Sequence, residues 1–209
     1  MKLEYVLPGE IEKRSFEIIE NELGGRKIPD EIKPIVMRVI HTSADFDYYD
    51  NLCFSENAVK TAIDAIKKGA VFVTDTNMAK SGINKSALEK FGCEVMCFMS
   101  DKDVAEAAKK NGTTRASAAV DKAAKLKKPI IFAAGNAPTA LIRLYELIEK
   151  GIFRPELIIG VPVGFVNVVQ SKEMIMETDV PYIIAKGRKG GSNVAAAICN
   201  ALLYMAGGR

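Results

Sequence analysis

The sequence predicts an α/β protein with a doubly wound, mainly parallel sheet of five strands and helices on both faces. Short apolar runs alternate along the chain with helical patterns, which is the order expected for β-α-β units. The runs lack polar/apolar alternation, as in strands that are buried on both faces. The 209 residues, 48% hydrophobic and 26% charged, are typical of a globular chain. We therefore expect one domain over residues 1–209, in which residues 1–42 form a helical extension packed on the α/β core.

The elements follow from local signals taken in order. Two helices are predicted over residues 9–23 and 31–41, separated by Gly24, Gly25 and Pro29, which interrupt helices. Apolar runs rich in Val, Ile and Phe predict strands over residues 71–73, 94–99, 129–133, 157–161 and 182–185. Helices are predicted over residues 56–68 with Ser55 as N-cap, up to residue 91 with Asn84 as N-cap, over 102–110, over 114–127, over 137–150 with Asn136 as N-cap, and from about Ser192 onward.

Composition and charge exclude several classes of protein. Lys and Arg number 29 against 26 Asp and Glu, a net charge of +3 that is too small for a nucleic-acid-binding surface. The longest nearly apolar run, residues 157–169, is shorter than the ~18 residues that a membrane-spanning helix needs. The N-terminus carries acidic residues where a signal peptide would have its apolar core. We expect a cytoplasmic protein that binds neither nucleic acid nor membrane.

The four cysteines do not predict a disulfide or a metal site. Cys93 and Cys97 fall in one predicted strand, where residues four apart lie too far from each other to bridge easily, and Cys53 and Cys199 are isolated. Buried, reduced thiols are therefore expected. The zinc-binding cysteine spacings are missing as well.

The chain contains a single histidine, His41, at the predicted end of the second helix. One histidine excludes metal sites and catalytic mechanisms that need several from one chain. Histidine is also a natural general acid near neutral pH, and Asp45, Asp47 and Asp50 are close enough in sequence to keep it protonated. The alternative is a structural or solvent-exposed histidine without a catalytic role.

Polar and glycine-rich segments follow the predicted strands, at the edge where doubly wound sheets bind ligands. They include Asp75 in TDT, Asn136 and Thr139 in GNAPTA, and Arg188 and Ser192 in KGRKGGSN. Helix N-termini and arginines bind carboxylates and phosphates, so these turns are candidate anion sites. An ordinary N-cap at GNAPTA and a solvated turn at KGRKGGSN are the alternatives. Arg115 in GTTRASAA, and Arg14 with Ser15 in the first helix, are further candidates, with exposed surface positions as their alternative.

Several blocks, in order along nearly the whole chain, resemble the precorrin-8X methylmutase family of cobalamin biosynthesis, including its cobalt-precorrin-8 form. They are RSFEII, RVIHTSADFDY, VFVTDTNMAKSGI, TTRASAAV, FAAGNAPTAL, GVPVGFVNVVQSKE and GRKGGSNVAAA. The segment TSADFDYYD is more similar to the cobalt-dependent branch.

The resemblance implies a flavodoxin-like homodimer with sites near the subunit interface. The implied activity is an isomerase that moves a methyl group from C-11 to C-12 of (cobalt-)precorrin-8, giving hydrogenobyrinate or cobyrinate. His41 falls on the family's catalytic histidine and would be the general acid. Matching positions imply that the residues named above bind the corrinoid: Arg14, Ser15, Asp75, Arg115, Asn136, Thr139, Arg188 and Ser192. No cofactor and no protein-bound metal are implied, since any cobalt arrives with the substrate.

Two other functions remain open at this point. A non-catalytic binding protein for an anionic tetrapyrrole would keep the cationic turns and would not need His41. A nucleotide- or S-adenosylmethionine-dependent enzyme would need a glycine-rich turn after the first strand, and this chain has TDTNMAKSG there instead. The chain also lacks GxGxxG, the P-loop and the GxSxG motif.

Overall fold

The sheet in the computed structural model, which describes residues 3–208, has six strands in the order β1-β6-β5-β4-β2-β3. Residues 1, 2 and 209 of the expected domain lie outside the described residues. Neighbouring strands from β2 to β6 are parallel, and β1 is antiparallel to β6. The strands are β1 Leu52–Phe54, β2 Val71–Thr74, β3 Glu94–Met96, β4 Ile130–Ala134, β5 Leu157–Gly160 and β6 Tyr182–Ala185.

The doubly wound α/β prediction is confirmed, but the number of strands was wrong. All five predicted strands are present, and the one expected over residues 94–99 ends at Met96. The sixth strand, β1, pairs Leu52 with Ala185 at the edge of the sheet. Three residues are too few to show a periodic pattern, so its partner β6 determines that it is a strand. The parallel strands alone have the order β3-β2-β4-β5-β6, which is the flavodoxin-like order.

Helices cover both faces of the sheet, as expected. Helices α1, α2, α4, α5, α6 and α11 enclose one apolar cluster with the sheet, and α7 to α10 enclose the other. A 3₁₀ turn at Pro8–Glu10 precedes α1, and a π-helical segment at Tyr204–Gly208 follows α11. The helices are α1 Ile11–Glu22, α2 Lys33–Ser43, α3 Tyr48–Asn51, α4 Ala58–Lys67, α5 Asn77–Gly82, α6 Lys85–Lys90, α7 Lys102–Asn111, α8 Arg115–Ala123, α9 Pro138–Glu149, α10 Val168–Met176 and α11 Ser192–Leu203.

Two of the three predicted N-caps were wrong. Ser55 accepts a hydrogen bond from the Tyr182 amide (2.8 Å) and so joins the chain to the sheet, while α4 begins after Asn57. Asn136 makes no cap either, because α9 begins at Pro138 after Ala137. Asn84 does cap α6, with its side chain accepting from the Ala87 amide at 3.1 Å. The free amides at a helix N-terminus can bind acceptors from elsewhere in the fold, so a cap residue in the sequence need not be the acceptor.

The N-terminal helices connect to the rest of the chain through α2. Its buried residues Val36, Val39 and Ile40 join the same apolar cluster as Val194, Ile198 and other side chains of α11. Within residues 3–208, no helix is both long enough and apolar enough to cross a bilayer.

The four cysteines are unpaired, as expected. Cys93, Cys97 and Cys199 are buried and Cys53 is half-buried. Burial raises the pKa of the Cys93 thiol to about 11. Thiols in this environment are poor nucleophiles at neutral pH.

Candidate active site

The carboxyl ends of β2 and β4 form the point at which the strand order reverses, where such sheets usually bind ligands. Asp75 follows β2 and is buried there. Its carboxylate accepts three backbone hydrogen bonds from the turn after β4: from Gly135 (2.8 Å), Asn136 (2.8 Å) and Ala137 (2.6 Å). Burial raises the pKa of Asp75, and the three amide donors oppose that shift.

The GNAPTA turn was expected to bind an anion from a substrate, and in the structure the protein supplies that anion itself. The backbone N–H groups of Asn136 and Ala137, in the turn just before α9, point to Asp75. A carboxylate at a helix N-terminus is favourable because it satisfies free amides and complements the helix dipole. Asp75 therefore connects β2 to β4, and its oxygens are committed to the backbone.

The N-terminus of α11 packs onto the same point. The Ser192 hydroxyl lies 2.8 Å from the Thr76 hydroxyl, which also caps α5 through the Ala79 amide (3.1 Å). Residue 135 must be glycine for this approach, because a Cβ there would lie 2.8 Å from the Ser192 Cα. Ser192 is thus held half-buried beside the end of β2.

His41 lies in the last turn of α2 and is exposed to solvent. Its ring meets Phe16 of α1 edge-on, with centroids 5.4 Å apart. The imidazole borders two cavities. One, of about 290 Å³, contains Ser192, Asn193 and Met78 among its lining residues, and the other, of about 240 Å³, contains Ser15 and Phe46. The structure therefore places His41 between Ser15 and Ser192.

The acidic residues that follow His41 have other partners. Asp45 and Asp47 each accept a hydrogen bond from the Lys189 ammonium at 2.6 Å. Asp50 lies 3.6 Å from the Arg26 guanidinium. Lys189 holds the pKa of Asp45 below its usual value. These carboxylates bind cations rather than His41, so the expectation that they keep the imidazole protonated is not supported by their contacts.

Two arginines differ from the others of the described residues in having no carboxylate partner. Among residues 3–208, Arg115 and Arg188 are the arginines without an ion pair to a carboxylate. Both are exposed, and the Arg188 guanidinium lies 5.4 Å from the Phe165 ring centroid. Arg14, in contrast, pairs with Glu4 at 2.6 Å and Glu17 at 3.4 Å. An arginine without a carboxylate partner is well suited to bind a substrate carboxylate.

The candidate residues divide between the two faces of the sheet. His41, Ser15 and Ser192 lie on the α2–α11 side. Thr139 lies on the other side, where its hydroxyl is 2.9 Å from that of Thr114, the residue before Arg115. Thr139 lines a separate cavity of about 250 Å³ that His41 does not border. Asn136 is exposed at the strand ends, between these groups.

Sequence reasoning missed several residues around His41. Thr42, Met78 and Asn193 line its larger cavity. Lys189 was not among the residues selected in the KGRKGGSN turn, whereas it joins that turn to the segment after His41. No local pattern identifies such partners, since they are 142 and 144 residues apart in the chain.

No group of three or more His, Cys, Asp and Glu side chains within residues 3–208 is arranged to hold a metal ion. Along this edge of the sheet, the described residues present hydroxyls, cations and one imidazole. These groups can donate hydrogen bonds, bind anions and, at His41, transfer a proton.

Comparison with known proteins identifies the family. Residues 10–205 match the family described as "Precorrin-8X methylmutase". The chain is 47% identical over 201 residues to a cobalt-precorrin-8 methylmutase of Priestia megaterium (96% of this chain, 89% of that protein) and 36% identical over 203 residues to a precorrin-8X methylmutase of Pseudomonas aeruginosa (96% and 97%). A crystal structure of precorrin-8x methyl mutase from Thermus thermophilus superposes with a TM-score of 0.86 at 40% identity, covering 95% of this chain and 98% of the other. The chain belongs to the precorrin-8X methylmutase family, whose members are isomerases of cobalamin biosynthesis.

Proposed function

We propose that this protein moves a methyl group from C-11 to C-12 of a corrinoid precursor, giving cobyrinate from cobalt-precorrin-8 or hydrogenobyrinate from precorrin-8X. The observation that carries the proposal is the family match over residues 10–205 together with an exposed imidazole between two cavities. Relatives from Priestia megaterium and Salmonella typhimurium, each 47% identical, are named for the cobalt form. We therefore favour cobalt-precorrin-8 as the substrate.

His41 is the proposed general acid. The reaction is a sigmatropic shift within one molecule, so it needs no nucleophile and no methyl donor. Protonation of the conjugated ring system makes the migration easier, and an imidazolium is suited to donate that proton near neutral pH. His41 is the only histidine in the sequence, and its exposure leaves the ring open to a ligand. We propose no resident cofactor, because cobalt would arrive in the substrate.

The substrate is a flat macrocycle with many carboxylates, and its proposed anchors follow from that chemistry. The guanidinium groups of Arg188 and Arg115, which have no carboxylate partner among residues 3–208, are the first candidates. Ser15 and Ser192 line the cavities beside His41, Asn136 remains a predicted contact at the strand ends, and Thr139 remains one on the other side of the sheet. Arg14 could contribute only by exchanging its two glutamate partners for substrate.

The size of the cavities favours a site that is completed by a second subunit. Cavities of about 290 and 240 Å³ are smaller than the roughly 300–1,000 Å³ of typical small-molecule sites. Met78, Phe165 and Val166 are 71%, 81% and 78% exposed near the carboxyl edge. We propose that the macrocycle lies along the surface that joins the two cavities and that a homodimer covers it. A cytoplasmic location also stays a prediction.

The proposal is tested by absorbance spectra of the purified protein mixed anaerobically with cobalt-precorrin-8 and, separately, with precorrin-8X. Methyl migration changes the conjugation of the ring, so turnover should shift the visible bands. A shift with one substrate supports the methylmutase and identifies the branch. Tight binding without a shift would favour a non-catalytic tetrapyrrole-binding protein. If the protein neither binds these substrates nor shifts their bands, both functions are refuted.

A further inference from the structure

Lys172 in the middle of α10 is buried, with 1% of its surface exposed. Its ammonium donates hydrogen bonds to the carbonyl oxygens of Gly187 (2.8 Å) and Lys189 (2.9 Å). It has no carboxylate within ion-pair distance among residues 3–208. Burial lowers its pKa to about 8. Burying an ammonium costs free energy, and its hydrogen bonds to two carbonyl oxygens of one turn offset that cost.

The turn that Lys172 binds connects β6 to α11 and is attached to two parts of the fold, the end of β5 and α10. The Arg188 carbonyl accepts a hydrogen bond from the Gly164 amide at 3.1 Å, and the Gly191 amide donates to Val161 at 2.9 Å. At residue 190 a Cβ would lie 2.1 Å from the Val161 carbonyl oxygen, so the turn is pressed against the end of β5. Its position is therefore fixed from the β5 side and, through Lys172, from α10.

The same turn reaches the segment that follows His41. Lys189 donates to the carboxylates of Asp45 and Asp47, each at 2.6 Å. Arg188 lies between the two residues whose carbonyls Lys172 binds. The buried Lys172 ammonium therefore fixes the backbone on both sides of Arg188. It also fixes the backbone of Lys189, whose side chain forms the ion pairs.

We propose that Lys172 is a positioning residue that fixes the 187–189 turn so that the Arg188 guanidinium is presented to the substrate. This inference rests on the proposed function, since it gives Arg188 a substrate carboxylate. Replacing Lys172 by an apolar residue leaves two buried carbonyl oxygens without a donor. The turn then loses its attachment to α10 while its sequence, and Arg188 itself, stay unchanged.

The first test needs no substrate. Lys172→Met keeps the side-chain length and removes the donors. Lys122→Met is the matched control, because Lys122 also binds two acceptors, Asp101 and Asp103, far from this turn along the chain. In hydrogen-exchange mass spectrometry, K172M should speed exchange of the amides of residues 186–191 by about tenfold and leave α8 at the wild-type rate. K122M should leave residues 186–191 unchanged. Wild-type exchange of this turn in K172M overturns the proposal.

The second test measures the consequence for the substrate. For cobalt-precorrin-8, K172M should raise KM by about tenfold and change kcat by less than about threefold, because an arginine–carboxylate contact is weakened and the acid is untouched. In an Arg188→Ala background, K172M should add no further increase in KM. The same increase in both backgrounds would show that Lys172 does not act through Arg188, and would overturn the proposal.

Two results separate failure of this inference from failure of the proposed function. A wild-type protein that turns over neither substrate refutes the proposed function, and the exchange experiment then decides the role of Lys172 by itself. If K172M does not melt cooperatively, Lys172→Gln, which replaces the ammonium by a shorter, neutral amide, takes its place in both experiments.

Discussion

At the scale of single residues, the only histidine of the chain lies where a ligand can reach it. His41 has one ring contact, with Phe16, and two cavities beside it. Its acidic neighbours in sequence bind Lys189 and Arg26 instead. The proton-donating role therefore depends on the imidazole itself and on the substrate that it meets.

Replacing His41 tests the general acid directly. We expect His41→Ala and His41→Gln to lower kcat for methyl migration by about 10²–10⁴-fold, the usual contribution of a positioned acid. Corrinoid binding, followed by absorbance titration, should persist in both variants. Wild-type kcat in His41→Gln, which keeps hydrogen bonding but cannot donate a proton in this way, would remove His41 from the mechanism.

Arg115 provides a second test at this scale, because its guanidinium has no carboxylate partner within residues 3–208. Arg115→Ala should weaken substrate binding by about 1.5–3 kcal/mol through loss of a charge-assisted hydrogen bond. Arg154→Ala is the control, since Arg154 already pairs with Asp179 at 2.6 Å. Equal affinities of Arg115→Ala and wild type in the titration would exclude Arg115 from the site.

Asp75 is expected to act on stability, because its oxygens bind three backbone amides. Asp75→Asn places a donor where these amides need an acceptor, and should lower the free energy of unfolding by about 3 kcal/mol in urea denaturation. Asp64→Asn, at an exposed position of α4, should change it by less than about 0.5 kcal/mol. Unchanged stability with lost substrate binding would instead assign Asp75 to the substrate.

At the scale of elements, the ion pairs between Lys189 and the segment after α2 predict a pH dependence. Lys189 lowers the pKa of Asp45 in the folded protein, chiefly through its hydrogen bond. A lowered carboxyl pKa stabilises the fold above the unfolded-state value of about 3.9, and this contribution is lost as the pH falls through the folded-state value. The difference in unfolding free energy between wild type and Asp45→Asn should therefore be constant near neutral pH and shrink below about pH 4.

Urea denaturation at a series of pH values measures this difference. Lys189→Met removes the cation of the ion pair. In a Lys189→Met background, adding Asp45→Asn should therefore no longer produce this pH-dependent difference. If Asp45→Asn followed the wild-type pH profile in parallel down to acid, the ion pair would contribute nothing to stability.

At the scale of the whole molecule, the exposed apolar side chains near the carboxyl edge support the predicted homodimer. Size-exclusion chromatography with light scattering should give a mass of about twice 22.7 kDa. Bound product should shift the equilibrium toward the dimer if the site is completed by the second subunit. A mass of 22.7 kDa, with and without product, would contradict both the dimer and the covered site.

The sequence alone determined the layered architecture, because buried parallel strands and amphipathic helices each have a local pattern. Five of six strands were predicted from such patterns, and so was the Asn84 cap, whose acceptor lies three residues from its donor. The family was also recognisable from blocks of residues in order. His41 was identified as a candidate because it is the only histidine in the sequence.

Only the tertiary structure decided which distant groups meet. The edge strand β1 exists through its pairing with β6, and the turn before α9 is bound by Asp75, some 60 residues earlier. The division of the candidate residues between two faces, and the hold of Lys172 on the Arg188 turn, belong to the same class. Contacts between residues far apart in the chain form when strand order and helix packing bring them together, and no local pattern in the sequence specifies that arrangement.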